Sequence, residues 1–273
     1  MTPADMDQAL ELSPRAVRPS WRDRVLRGLI GALALAALIA MAVDVGVTPT
    51  ALAAGSGKLA TFLRAMIPPN AGGELVRIVR ALGETFAMAF AGTVLAAVAA
   101  LPLGVFGAKS VVPQPLLHFG FRRVLDMFRG VPALVWALIF VAAFGLGPFG
   151  GVLALAIADV PGLAKLYAEA IENCDEKPLE GLRSAGAAPP VVLRYGLLPQ
   201  VAPLMASQTL FFLESNFRNA AVLGIVGAGG IGFELEERIR IFAFDEVAFI
   251  VLLYVVCVAV LDTISQRLRA RLA

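Results

Sequence analysis

Glu180-Gly181-Leu182-Arg183-Ser184-Ala185-Gly186, continuing to Leu198-Pro199, is a polar interruption in a chain otherwise built of apolar blocks. It reads as a short charged helix, a turn at glycine and a re-entry through proline. Pro178, Leu179, Glu180 and Leu182 open the helix, since proline is tolerated in a first helical turn. Gly186 supplies a residue free to adopt left-handed backbone at the helix end. Leu198-Pro199 is expected to start the next apolar block, where a missing proline N–H costs little. Leu179, Leu182 and Ala185 fall at helical spacing and are expected to fill a partner's groove. An ordered helix between two apolar blocks offers itself to such a partner.

The rest of the chain places those blocks in a membrane. Its 273 residues are 59% hydrophobic and 16% charged, with a mean hydropathy of +0.80, too apolar to cover a soluble fold of this size. Apolar runs of about 20 residues cross the hydrocarbon as helices, so the fold class is an all-α membrane protein with about six transmembrane helices. A formal charge of +2 gives no argument for nucleic acid. Cys174 falls in the polar interruption and Cys257 in the last apolar block, so no disulfide is expected. His118 is the only histidine. No metal site and no catalytic residue are expected.

Residues 1–23, punctuated by Pro3, Pro14 and Pro19, read as a disordered leader. Residues 24–47 form a first span, too long for the apolar core of a signal peptide and therefore an uncleaved anchor. Residues 48–83 read as a periplasmic loop, with an amphipathic piece, Glu74 to Arg80, lying near the interface. A transmembrane domain follows over 84–265, with spans expected at 84–107 (broken near Pro102), 130–144, 149–165, 201–217 and 247–264. It encloses the polar segment 177–199. Residues 266–273 are a basic tail carrying Arg267, Arg269 and Arg271. Six spans put both termini on one side. With the N-terminus inside, sixteen Lys and Arg fall in inside segments and seven outside, so the termini and the 177–199 segment are expected in the cytoplasm.

Glu180-Gly181-Leu182, three residues, Gly186, nine residues, then Gly196-Leu197-Leu198-Pro199 resembles the Glu-Ala-Ala (EAA) motif of ABC-importer permeases, with Gly181 and Leu182 replacing the two alanines. From about Gly83 to Arg269 the chain is similar to the permeases of phosphonate-type ABC importers, the binding-protein-dependent transport inner-membrane component family. Four stretches carry the likeness. They are Arg129-Gly130-Val131-Pro132-Ala133-Leu134-Val135-Trp136-Ala137-Leu138-Ile139-Phe140, Gly147-Pro148-Phe149-Gly150-Gly151-Val152-Leu153-Ala154-Leu155-Ala156, Lys165-Leu166-Tyr167-Ala168-Glu169-Ala170-Ile171-Glu172 and Val222-Leu223-Gly224-Ile225-Val226-Gly227-Ala228-Gly229-Gly230-Ile231-Gly232. Ala158-Asp159 departs from it, where a histidine followed by a small hydroxyl residue is expected, and bears on the solute more than on the family.

The resemblance implies a type I ABC-importer permease in a bacterial inner membrane, pairing with a second copy of itself. Two cytoplasmic ATPase subunits would carry ATP and Mg, and a periplasmic binding protein would deliver a phosphonate or related phosphorus oxyanion. Glu180, Gly181, Leu182, Arg183, Gly186, Ala187, Leu198 and Pro199 would form the coupling segment, through which ATP-driven closure rocks the bundle between its two open states. The chain has no Gly-x-x-x-x-Gly-Lys-[Ser/Thr] loop. It is therefore expected to bind no cofactor and to be a transport subunit, not an enzyme.

Polar residues inside the spans mark a candidate path, because a charge at the bilayer centre costs roughly 2.5–3.5 kcal/mol. Asp159 lies in the fourth span, where pairing with Lys165 or lining a gate is expected. Glu214, Asn216, Arg218 and Asn219 gather towards the outer end of the fifth span. They read either as a hydrophilic path, with Arg218 drawing an anion, or as a Glu214–Arg218 pair one helical turn apart. Gly227-Ala228-Gly229-Gly230-Ile231-Gly232 lacks the strand and acidic residue of a dinucleotide site. Gly227, Gly229, Gly230 and Gly232 are left as close helix packing or as a periplasmic gate. Alternatives are a permease for phosphite, methionine or an amino acid, or a proton-coupled carrier using Asp159. The carrier would need an inverted repeat that is not visible. An intramembrane enzyme lacks any Ser/His, paired Asp or His-Glu-x-x-His set.

Overall fold

The computed structural model describes residues 21–109 and 114–272, which are helical with no strand among them. Most of the expected leader, residues 1–20, lies outside the described residues; its last three residues are already helical. The chain divides into two units between Arg64 and Ala65. In the first, α1 (Trp21–Asp44) and α2 (Pro49–Ala65) are joined by a turn in which Gly46 takes φ +83°. Thr48 Oγ1 accepts a hydrogen bond from the Ala51 N–H at 3.2 Å and so caps α2. No described side chain of α1 is buried, and the helix is apolar on all sides, as a lipid-facing span would be.

The second unit contains α3 (Leu75–Gly107), α4 (Pro115–Arg129), α5 (Ala133–Phe144), α6 (Pro148–Glu172), α7 (Glu176–Ser184) and α8 (Pro189–Val192). It continues with α9 (Leu198–Leu223), α10 (Gly230–Arg240) and α11 (Phe244–Leu272), and π-helical turns at Leu193–Leu197 and Gly224–Ala228 flank α9. Among the described residues, five helices are long and apolar enough to cross a membrane, or six when the pair α4–α5, bent by 73°, counts as one span. The bend sits at Val131-Pro132, where a residue preceding proline disfavours helical backbone.

Several expected boundaries move. Residues 48–83 are not a loop, since α2 fills much of them and α3 starts at Leu75. The amphipathic piece is the first two turns of α3. Its charges do not end the helix because Arg77 is paired with Glu74 and Glu234, and Arg80 with Glu84 at 3.5 Å. Pro102 and Pro161 lie inside α3 and α6 without breaking them. Leu198-Pro199 does not start a helix either, since the chain is helical from Pro189 onward. In the π turn the Leu198 N–H reaches back five residues to the Leu193 carbonyl, just before the N–H that Pro199 cannot supply.

α3 and α6 run parallel and close together because small residues line their seam. A Cβ on Gly92 would stand 2.8 Å from the Leu155 Cβ, and one on Gly104 2.7 Å from the Tyr167 Cβ. The main core joins Ile78, Met88, Leu155, Phe217, Leu223 and Ile250, and so ties α3, α6, α9 and α11 into one bundle.

Candidate functional site

α7 is built on local rules and then fastened to α9. The Asp175 side chain accepts from the Lys177 N–H at 3.1 Å and caps the helix start. At the other end Gly186 takes φ +78°. Its N–H bonds the Arg183 carbonyl and the Ala187 N–H bonds the Leu182 carbonyl, both at 3.0 Å, which closes the helix as the glycine predicts. Leu179 is buried and Leu182 half-buried. A Cβ on Gly196 would lie 3.2 Å from Leu182 Cδ1 and 3.4 Å from Leu179 Cγ. These leucines therefore pack on their own chain, correcting the expectation that they fill a partner's groove. The bare backbone at Gly196 makes the room for them.

Glu180, Gly181, Arg183, Leu198 and Pro199 remain exposed. Beside them a pocket of about 370 Å3 is lined by Leu179, Arg183, Ala187, Val192 and Leu197 among others. Gln200, unremarked in the sequence reading, completes the attachment. Its Oε1 accepts from the Asp175 N–H at 2.9 Å, and its Nε2 donates to the Asp175 and Gly196 carbonyls at 3.2 and 2.8 Å. A side-chain amide matching both backbone groups of the cap residue has no local sequence signal.

A second polar site lies among the helix centres. Asn216, 1% exposed, donates from Nδ2 to Thr93 Oγ1 at 2.9 Å and also to Asp159 Oδ2. Thr93 donates in turn to the Ala89 carbonyl at 2.7 Å. Asn216 Oδ1 is buried with no hydrogen-bond partner. Thr93 and Asp159 stand near the middles of α3 and α6, so the node crosses three spans at one level. The expected Asp159–Lys165 pair does not form, and Lys165 instead meets Asp126 of α4 at 3.5 Å.

The Glu214–Arg218 pair does form, at 3.3 Å. It is not an isolated group at the outer end of the fifth span, because the last third of α11 lies alongside. Arg218 also meets Asp262 at 3.3 Å, and Arg269 meets Glu214 at 2.9 Å. Ser265 donates to the Leu210 carbonyl at 3.4 Å and Tyr254 to the Phe217 carbonyl at 3.2 Å, in the same antiparallel register. Arg218 thus faces two carboxylates. Asn219 is exposed on α9 and outside these contacts.

The glycine segment is a tight, buried crossing at the far end of α9. Gly227, Gly229 and Gly230 take φ of +96°, +80° and +70°. Added Cβ atoms would strike Leu146 at Gly227, Thr85 at Gly230 and the Ala221 carbonyl at Gly232. The Ile231 N–H donates to Thr85 Oγ1 at 2.8 Å and fixes α10 to α3. Beyond it Arg238, with a side chain 4% exposed, bonds Glu246 at 2.8 Å, Glu234 at 2.5 Å and Glu74 at 3.3 Å. Burial opposes its charge, but the hydrogen bonds to Glu234 and Glu246 outweigh that and hold its pKa above the usual arginine value.

Comparison with known proteins places this geometry. A family described as "Binding-protein-dependent transport system inner membrane component" matches residues 100–273. The phosphite transport system permease protein PtxC of Stutzerimonas stutzeri is 44% identical over 221 residues, 81% of this chain and 80% of that protein. The phosphate-import permease protein PhnE of Mycolicibacterium smegmatis is 36% identical over 252 residues, 92% of this chain but 47% of that longer protein. Among solved structures, a chain of the inward-facing MetNI methionine ABC transporter superposes with a TM-score of 0.63. It covers 73% of this chain and 97% of its own at 23% identity, which establishes the fold alone.

Proposed function

Because the chain belongs to the family of binding-protein-dependent transport inner-membrane components, the permease subunits of ABC importers, we propose that the solute it passes is a phosphorus oxyanion, phosphite or a phosphonate. It is a multi-pass inner-membrane transport subunit and not itself an enzyme, and it works with an ATPase and a solute-binding protein. The observation that carries the solute class is 44% identity to a phosphite permease across four-fifths of both chains.

In this reading α7 is the element that receives the ATPase stroke. Gln200 and Gly196 join it to α9, so a push on its exposed, charged face would travel into a helix that carries Asn216 to the centre of the bundle. The cytoplasm is assigned to the α7 end by the excess of Lys and Arg there, which puts both termini on that side. A second copy of the chain is proposed to form the other half of the path.

The test is uptake into proteoliposomes holding the permease with the ATPase and binding protein encoded beside it. ATP-dependent entry of phosphite or methylphosphonate supports the solute class, and entry of methionine without either overturns it. Glu180→Lys reverses a charge on the exposed face of α7 and should lower uptake per ATP by about tenfold, equivalent to roughly 1.4 kcal/mol of lost coupling. Unchanged uptake with normal insertion would remove α7 from that role.

A further inference from the structure

A cluster of charged side chains away from α7 stands on one face of α6. Asp159, Gly162, Lys165 and Glu169 follow one another at the three- and four-residue spacing of a helix face. They line a cleft of about 340 Å3, bounded by Arg129 at the end of α4 and Phe212 of α9. The opposite face of α6, with Leu155, Ala164 and Tyr167, is buried against α3. Two larger grooves, of about 530 and 620 Å3, are walled mainly by aliphatic side chains and suit lipid or a partner helix. The first of these also carries Arg218 and Asp262, but they are paired with each other at 3.3 Å, whereas the α6 cleft holds Arg129, Lys165, Asp159 and Glu169.

Its charges are poised, unlike those of the α9–α11 network. Arg129 is exposed and makes no ion pair or hydrogen bond through its side chain among the described residues. Lys165 meets Asp126 only at 3.5 Å, and both side chains are about a third exposed. At the deep end Asp159 is held by Asn216, whose Oδ1 lacks a partner. Gly162 keeps the cleft open, since a Cβ there would come within 3.1 Å of the Phe212 ring.

Taking the proposed solute class as given, the geometry points to this cleft as the α7-side half of the solute path. Arg129 and Lys165 receive the oxyanion, and the Asp159–Asn216–Thr93 node forms its floor. A guanidinium offers two forked N–H donors to two oxygens of a phosphorus oxyanion, and the ammonium adds a movable point charge. Asp159 and Glu169 bracket Lys165 along the helix, about 9 Å and about 6 Å away by helical rise. Their repulsion keeps an anion from settling, and a conducting site must release what it binds. Arg218, already facing Glu214 and Asp262, is excluded as the anion contact.

The experiment uses the complete transporter in proteoliposomes. Arg129→Gln and Lys165→Gln should each cut phosphite uptake per ATP by about tenfold, the worth of one charge-assisted contact. The loss should fall on the maximal rate and not on the concentration of loaded binding protein giving half of it, and Arg129→Lys should restore part of it. Wild-type rates in both glutamine variants overturn the assignment. A second measurement stands apart from transport. In a chain with Cys174→Ser and Cys257→Ser, Leu166→Cys, which lines the cleft, should react with a membrane-impermeant anionic thiosulfonate, whereas exposed apolar Leu252→Cys should not. Failure of Leu166→Cys to react places the cleft in lipid and sinks the path. Should the wild type import a different solute, the solute class alone fails, and the labelling still decides the path.

Discussion

The two ends of α9 use glycine to different degrees. At the Gly224–Gly232 end the residue is needed because backbones touch. A Cβ on Gly224 would stand 2.6 Å from the Gly229 carbonyl oxygen and 2.7 Å from the Gly232 Cα. At the α7 end only Gly196 is close to its neighbours, the nearest being the side chains of Leu182 and Leu179, while Cβ atoms on Gly181 and Gly186 would meet nothing within 4 Å. The first end is locked by contact and backed by the buried Arg238 network. The second is a short helix held on by two leucines and one glutamine. Such an asymmetry would suit the proposed role of α7, with the end that receives the push free to yield before the end that anchors the helices.

The largest expected effect lies at the locked end. In Gly232→Ala the new methyl is driven into the Ala221 carbonyl, and neither backbone can retreat without separating α9 from α10. A loss of about 3 kcal/mol, at the upper end for overpacking, should appear as a large drop in the melting temperature of the detergent-solubilised chain. A variant that melts like the wild type would show that the crossing is not tight.

At the yielding end, Gln200→Leu removes three hydrogen bonds to Asp175 and Gly196. The groups are partly exposed and water can replace much of what is lost, so about 1 kcal/mol is expected, confined to α7. Hydrogen exchange should speed up in Glu176–Ser184 and not in the α3–α6 seam, while uptake per ATP falls. If Gln200→Leu instead lowers the global melting temperature as Gly232→Ala does, the two ends are equally structural and the contrast fails.

What could be seen in the sequence follows the range of the forces involved. Spans are set by the length and polarity of local runs, so their number was legible, as was the Gly186 turn, which a single residue's φ decides. Helix limits were less so. The charges of Arg77 and Arg80 argued for an interface, but Arg77 is neutralised by Glu234, distant in sequence. The direction of Leu179 and Leu182 was misread because the partner they bury against is an absence, the missing side chain of Gly196. Arg218 looked available only until α11 brought Asp262 beside it. The Asp159–Asn216–Thr93 node joins residues from three spans, and no local pattern connects them.

The smallest effect has the opposite sign and tests the contrast most sharply. Gly181 is an exposed interior residue of α7 with open space around it, so Gly181→Ala should stabilise that helix by about 0.5–1 kcal/mol. Exchange in α7 of the isolated chain should then slow by roughly two- to fivefold, with the melting temperature almost unmoved. The same substitution in the assembled transporter asks what lies against that bare surface. If α7 is steadied in both settings and import is unchanged, the glycine is merely tolerated. If it is steadied alone but import falls once the ATPase is present, the added methyl has met the partner, and Gly181 marks where that partner sits.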